Sequence, residues 1–410
     1  MTASPIRDGW LLSVCVARTF MTFIFMTYAA CLPVLRSEWH MSATAAGSIS
    51  TGFQFGYAFS LMLFSSLADR IGARRVFLVS GTLSTAAAFA FAMFARSYVS
   101  GLVLFTLVAL SQGGTYTTAI MLIADRYRPE RRGSAVGWLI ASSSLGYALS
   151  LLIAGSMLRR GGYPFAFIAT ACGPLIGVLI AWFALRATKD VVHPRGEGLR
   201  FRTEVLRNPR AMRLIVGYMF HNWEVVGMWA WAPAFLAASF AAAGSLGLRA
   251  VELGADLAAS FHIMGLLASS SMGRLSDRLG RQTVLLALAA ISTACSFTFG
   301  WLIGLPLTIV VMVGAVYGFT ALGDSPVLST ALTEAVSPAY LGSALALRSF
   351  VGFGAGAIAP LAFGAILDAT NAPGVAPTIW GWAFALLGGG GLIATVCAYS
   401  LKRIPGAVRL

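Results

Sequence analysis

Apolar residues along this chain come in runs of about 20, long enough to cross a bilayer core of about 30 Å as helices. Short polar stretches rich in Arg separate the runs. The pattern predicts twelve membrane helices, at 11–34, 44–68, 76–95, 99–124, 135–157, 163–185, 212–239, 255–273, 283–302, 304–332, 344–367 and 376–400. The division between the ninth and tenth is the least marked and rests on Gly304-Leu305-Pro306. One connection, 186–211, is long and charged, and it divides the runs six and six. The expected organisation is an N-terminal six-helix bundle over 1–185, a cytoplasmic linker over 186–211 and a C-terminal six-helix bundle over 212–410. The first run is long enough to remain as a helix, so no cleavable leader is expected.

Composition sharpens this picture by exclusion. Of 410 residues, 58% are hydrophobic and 11% charged, against about 25% charged in a soluble protein. A large soluble domain, a disordered tail and a disulfide scaffold are therefore excluded, and a soluble enzyme or nucleic-acid binder is disfavoured. The five Cys (15, 31, 172, 295 and 397) lie far apart in apolar segments and read as small membrane hydrophobes. The net charge of +14 comes from 29 basic residues, all Arg except Lys189 and Lys402. With the N-terminus inside, 22 of them fall in cytoplasmic segments and five in outer loops; Arg18 and Arg348 fall within spans. That bias places both termini in the cytoplasm. The basic run of the linker reads as a plain cytoplasmic connection ahead of an anionic-lipid site.

The sequence repeats itself. Leu67-Ala68-Asp69-Arg70-Ile71-Gly72-Ala73-Arg74-Arg75 follows the second span, and Gly273-Arg274-Leu275-Ser276-Asp277-Arg278-Leu279-Gly280-Arg281 follows the eighth. Asp69, Arg70 and Gly72 recur 208 positions on as Asp277, Arg278 and Gly280. A second block, Asp125…Pro129…Gly133-Ser134-Ala135, recurs 209 positions on as Glu334…Pro338…Gly342-Ser343-Ala344. Two blocks with nearly one offset indicate two six-helix halves of common origin. Within each loop, Gly permits a tight turn. Asp at a helix end accepts from Arg or from a neighbouring helix N-terminus.

The loops resemble the signature loop of the major facilitator superfamily, G-x-L-A-D-R-x-G-R-K. The resemblance covers the whole chain, with the second copy the better match; the first opens with Ser65 in place of Gly. It implies an all-α membrane protein of twelve transmembrane helices in two pseudo-symmetric halves. It also implies a gating role for Asp69, Arg70, Gly72, Arg74, Asp277, Arg278, Gly280 and Arg281. Asp125 with Arg131 or Arg132 is a further expected cytoplasmic lock, whereas Glu334 has no matching Arg in 338–342. Two family patterns are missing. Ala109 stands where R-x-x-Q-G would put Arg ahead of Gln112-Gly113, and Ser150-Leu151 stand where drug/proton antiporters carry Gly-Pro after Gly137 and Gly146. These departures favour an uptake carrier or another exchanger.

Ionisable residues inside membrane spans are costly and are functional candidates by default. Arg18, eight residues beyond Trp10, either binds an anion or carboxylate or snorkels to the headgroups. Glu224 shares a helix face with His221 at i, i+3 and is a proton carrier or a partner for Arg18. Asp324 sits in the turn that Pro326 weakens and is a coupling candidate. Pro233 should likewise loosen the seventh span. Arg348 reads as gate or topology and His262 as packing more than ligand. Gln54 with Tyr57 and Gln112 with Tyr116 each share a face and are expected to line a cavity. Trp380 and Trp382 read as interfacial aromatics, and Gly352, Gly354 and Gly356 as a close-packing stripe.

The expected function is a secondary carrier, a monomer in a bacterial-type inner membrane. It moves a small solute, first an organic or inorganic anion, by alternating access with proton-coupled uptake. No cofactor or metal is expected, and no GxxxxGK[ST] supports ATP drive. The alternatives are a copper or riboflavin-type importer of the same superfamily and, from another class, a non-transporting substrate sensor. For copper, Leu266 stands where a Met would follow His262. An enzyme is not expected, because the four His at 40, 193, 221 and 262 do not group.

Overall fold

The computed structural model describes residues 8–191, 205–336, 341–372 and 376–401; the side chains of 129, 130, 133, 270 and 341–343 are left aside. Arg7, most of the linker's basic run, Pro338 and the C-terminal basic residues lie outside the described residues, and the side chains of Pro129, Gly133, Gly342 and Ser343 among those left aside. Helices α1 (Gly9–Met21), α2 (Thr27–Glu38), α3 (Ala43–Ile71), α4 (Ala73–Phe94), α5 (Tyr98–Gln112), α6 (Gly114–Arg126) and α7 (Pro129–Leu185) precede the linker. After it come α8 (Pro209–Ala242), α9 (Gly247–Leu279), α10 (Arg281–Phe299), α11 (Leu307–Ala335), α12 (Leu341–Thr370) and α13 (Gly381–Ser400). No strand occurs among the described residues.

Nine helical stretches among the described residues are long and apolar enough to cross a membrane, so the count differs from the expected twelve. The differences have physical causes. The expected fifth and sixth spans lie in the single helix α7, which is interrupted where Gly161 and Gly162 leave helical φ/ψ. The expected first span is not continuous: α1 stops at Met21 and α2 begins at Thr27. Helix α3 spans 29 residues, but its many Ser, Thr, Gln and Gly positions keep it outside the nine. The expected fourth span is divided at Gly113 into α5 and α6. Gly304, at φ 83°, and Leu305 turn the chain between α10 and α11. Helix α8 runs through Pro233 without a break.

The break in the first span exposes backbone groups that water cannot reach, and membrane-buried backbone must find protein partners. Ser150 supplies two: its hydroxyl donates to the Phe23 carbonyl, and the Met26 amide donates to Ser150 Oγ at 3.2 Å. Gln112 Nε2 donates to the Met21 carbonyl at 2.8 Å, and Thr27 Oγ1 to that of Phe23 at 3.0 Å. Gly146 packs so closely on Thr19 and Thr22 that any Cβ would collide with them.

Two compact units emerge from the packing: Met1–His40 with Gly52–Arg195, and Met41–Thr51 with Gly196–Leu410. The first is knit by an apolar core in which Leu11, Val14, Phe64, Val76, Phe77, Leu122, Ile123 and Leu139 are buried. Leu214, Ile215, Leu285, Leu288, Val327, Leu328 and Leu332 form a matching core in the second. In that unit Asp368 accepts from the amides of Ala43 and Thr44 at 2.8 and 2.7 Å, tying down the segment 41–51. Large apolar side chains such as Phe59, Met93, Phe94, Trp182, Met312 and Val396 are exposed, the pattern of a lipid-facing exterior. Trp382 is among the exposed aromatics, whereas Trp380, expected at the interface, is buried against Trp231, Phe235 and Phe363.

Candidate functional site

The first unit holds a buried cation. Arg18, on α1 one turn before the break, is only 1% exposed, so it does not snorkel. Its Nε donates to Ser143 Oγ at 2.9 Å and its Nη1 to Thr115 Oγ1 at 2.6 Å. The guanidinium lies 5.3 Å from the Tyr116 ring centroid, and Tyr147 stands close by. Among the described residues its partners are hydroxyls and rings, all neutral. Tyr147 continues into an aromatic wall: its ring lies 4.7 Å from Phe25, which meets Tyr57 and Phe53 edge-on at 5.5 and 4.8 Å. Gln54 and Gln112 are buried, each with a side-chain oxygen that has no hydrogen-bond donor among the described residues.

A pair of buried carboxylates occupies the second unit. Glu224 on α8 is 4% exposed, and its Oε1 accepts from Ser292 Oγ at 2.8 Å and Ser296 Oγ at 2.6 Å, both on α10. Ser296 also shares a hydrogen bond with the Tyr317 hydroxyl of α11. One turn before Glu224, His221 Nδ1 lies 2.9 Å from Asp324 Oδ1, and its Nε2 lies 2.8 Å from Ser325 Oγ. The His221–Asp324 distance is that of an ion pair, but the approach is not aligned for a hydrogen bond and leaves Oδ1 without a donor among the described residues. Arg348 Cζ sits 4.1 Å over the Tyr218 ring, with Nη1 donating to Ser329 Oγ at 2.6 Å; Tyr218 in turn packs on His221. Gly352 and Gly356 lie directly against Tyr218 and Asn222, which lets α12 approach α8. His262 is buried beside Trp229.

Both signature loops keep their turn in three dimensions. Gly72 has φ 94° and ψ 146°, and Gly280 has φ 88° and ψ 139°; this region is open essentially to glycine alone. The side-chain wiring differs between them. After Gly280, Arg281 gathers Asp277, Ser276 Oγ (2.6 Å) and Glu334 (3.1 Å). After Gly72, the start of the linker does the gathering. Asp190 accepts from the Arg75 amide at 3.2 Å and lies 3.5 Å from its guanidinium, while Arg74 Nε donates to the Leu185 carbonyl at 2.8 Å. Asp69 is half-buried at the end of α3; Arg70, Arg278, Asp125, Arg131 and Arg132 are exposed. Arg132 donates to the Tyr127 carbonyl at 2.9 Å. Asp8 caps α1 and accepts from the Tyr127 hydroxyl, and Arg126 covers Trp10. Burial pushes the Asp8 carboxyl up, but Tyr127, the Leu11 and Trp10 amides and Arg126 outweigh it and hold the group below the usual aspartate range.

Sequence reasoning named the charged members of both clusters and missed their hydroxyl partners. Spacing carried a usable signal: Ser143 with Tyr147 and Ser292 with Ser296 each stand at i, i+4, one helix face. Asp190 carried none, because its role depends on where the linker turns back.

The sequence profile of the Major Facilitator Superfamily matches residues 14–323. The chain is 24% identical over 344 residues to a probable 4-methylmuconolactone transporter of Cupriavidus pinatubonensis, covering 80% of this chain and 74% of that one. It is 24% identical over 397 residues to a hexuronate transporter of Bacillus subtilis, covering 90% and 89%. Its fold is similar to that of a bacterial homologue of the human lysosomal transporter Spinster, solved inward-facing and unoccupied, with a TM-score of 0.76 at 16% identity over 98% of each chain. An all-helical chain with lipid-facing apolar surfaces, a duplicated glycine-turned loop and this profile match belongs to the major facilitator superfamily, as a membrane transporter of a small solute and not an enzyme.

Proposed function

We propose that the chain takes up a small organic acid anion together with protons. It works by rocker-switch alternating access across a bacterial-type inner membrane, as a monomer with both termini cytoplasmic. The carrying observation is Arg18, a buried guanidinium surrounded among the described residues by neutral partners. An unpaired buried charge costs several kcal/mol, and a carboxylate ligand offsets that cost through charge-assisted hydrogen bonds. Tyr116, Tyr147 and the Phe25 wall beside it suit an acid with a flat or ring-shaped body. The relatives named for hexuronate and 4-methylmuconolactone point to organic solutes and do not favour copper.

Glu224 and the His221–Asp324 pair supply the proton sites. Each carboxylate lies among groups that hold either protonation state: hydroxyls around Glu224, an imidazole beside Asp324. The gating role stays with the two signature loops, whose charged contacts sit at helix ends and are cheap to break. Proteoliposomes carrying the purified protein, given a panel of labelled organic acids and their neutral amides, test the reading. An imposed inward proton gradient should raise acid uptake, and the double variant Glu224→Gln/Asp324→Asn should abolish the rise. Uptake of the amides in preference to the acids would overturn the anion assignment.

A further inference from the structure

Helix α3 is fastened in both units: its opening turns, through Thr51, pack in the second, and the rest, from Gly52 on, in the first. In the second unit those turns lie along a glycine track on α12. A Cβ on Gly47 would collide with the Pro360 carbonyl, and one on Gly364 with the Ala43 carbonyl, so backbone meets backbone. The buried Trp231 of α8 holds the Pro360 carbonyl in place, its Nε1 donating at 3.0 Å. The first amides of an α-helix have no partner within it. Ser42 Oγ takes that of Ala45 at 3.1 Å. Asp368, one turn beyond Gly364, takes those of Ala43 and Thr44 at 2.8 and 2.7 Å and the Thr44 hydroxyl at 2.6 Å. Its carboxylate also complements the positive end of the helix dipole. Asp368 and Thr44 are both half-buried, within reach of water.

The first-unit attachment of α3 is of another kind. Phe53 and Phe64 are buried, and the Phe53 ring packs on Phe105 of α5 at 4.3 Å between centroids. Ser60 Oγ donates to the Leu110 carbonyl at 2.7 Å and accepts from the Gly113 amide at 2.9 Å. Resting on the alternating-access reading above, we propose that the Asp368 cap is a latch: it holds residues 41–51 on α12 in the arrangement described and releases them once per transport cycle. A helix fixed in both halves blocks movement between them, so one attachment has to yield. Parting the first-unit attachment exposes large aromatic side chains, which is costly. Parting the α12 attachment exposes less: residues 41–51 are all Gly, Ala, Ser or Thr except Met41 and Ile49. The donors that Asp368 leaves behind sit at a helix end, where water satisfies them. Ser42 travels with α3 and keeps it capped throughout.

Two readouts separate the latch from transport, both in a background with the five native cysteines replaced by Ala or Ser. Thr44→Cys with Asp368→Cys, joined by a short bis-methanethiosulfonate, should slow proteoliposome exchange of a labelled organic acid from the uptake panel. The expected loss is roughly tenfold, a barrier change of about 1.4 kcal/mol, and reducing the bridge should restore exchange. Ile49→Cys, at a position wholly buried while the latch is closed, reports release without any transport. Its reaction with a water-soluble thiol reagent, followed in lipid nanodiscs, should quicken about fivefold in Asp368→Ala, the population shift of one lost helix cap. Asp368→Asn, which keeps a carbonyl acceptor, should quicken it less. Ser84→Cys, buried in the first unit, should react at one rate whatever stands at 368. Undiminished exchange by the fully bridged protein overturns the latch, as does an Ile49→Cys rate indifferent to Asp368 or matched by Ser84→Cys. If the reduced protein exchanges no acid while Ile49→Cys still answers to Asp368, the carrier reading falls instead and the latch stands.

Discussion

Arg281 reaches Glu334 with two guanidinium nitrogens, Nε at 3.2 Å and Nη2 at 3.1 Å from the same carboxylate oxygen, across 53 residues of chain. Sequence spacing placed no basic partner for Glu334 among 338–342; the partner comes instead from the signature loop. The internal repeat explains the asymmetry. Stepping back 208 positions from Arg281 arrives at Ala73, so the first copy lacks this arginine, and Asp190 from the linker binds the loop instead. Arg281→Ala and Glu334→Gln should each change stability little, by about 1 kcal/mol for a partly exposed pair, yet alter transport rate several-fold. The charge-swapped double variant should recover part of that loss. Thermal melts and uptake rates, measured on the same preparations, check both halves of the prediction.

The broken first span is the second testable feature. Ser150 stands where a related motif carries glycine, and its hydroxyl completes the backbone hydrogen bonding at Phe23 and Met26. Ser150→Ala keeps the packing but removes the acceptor of the Met26 amide and one of the two hydroxyl donors to the Phe23 carbonyl, at a cost of about 1–3 kcal/mol. It should lower the melting temperature and weaken acid binding together, because Arg18 sits one turn from the break. Ser150→Thr, which keeps the hydroxyl, should retain more of both.

A third prediction concerns pH. The Asp8 carboxyl is held below its ordinary value, so its contribution is present above the unfolded aspartate range and is lost as pH falls through the depressed value. Tyr127→Phe should therefore lower stability at neutral pH, and the gap from the unaltered protein should close in strong acid. A gap that widens on acidification would contradict the assignment.

Much of this molecule was legible in its sequence. The duplicated loops and the candidates Arg18, Glu224 and Asp324 follow from hydrophobic runs and the high cost of charge in a membrane. The interruption at Thr22–Met26 was not legible. No Gly or Pro marks it, and the Ser150 hydroxyl from α7, the Gln112 amide from α5 and the Thr27 hydroxyl make it tolerable. The hydroxyl shell of Glu224 was hidden for a similar reason: Ser292 and Ser296 are common residues whose meaning depends on which helix they face. The signature Gly72 and Gly280, by contrast, were readable outright, because few residues other than glycine accept their backbone angles.

Loss of proton coupling should separate from loss of binding. Glu224→Gln mimics the protonated acid, keeps hydrogen-bonding capacity toward Ser292 and Ser296, and should sustain acid exchange while abolishing gradient-driven accumulation. Glu224→Ala should lose both, since it also removes the acceptor for two buried hydroxyls. Parallel behaviour of the two variants would move the coupling role to Asp324 alone.

Binding of a labelled organic acid to the purified protein, compared across Arg18, Arg18→Lys and Arg18→Ala, bears most directly on the anion reading. Removing the guanidinium should cost about 2–5 kcal/mol of acid affinity, with Lys recovering part of it through charge but not through the forked contacts to Ser143 and Thr115. The neutral amide of the same acid should bind weakly to all three and discriminate little among them. Undiminished acid binding by a folded Arg18→Ala protein would contradict the account.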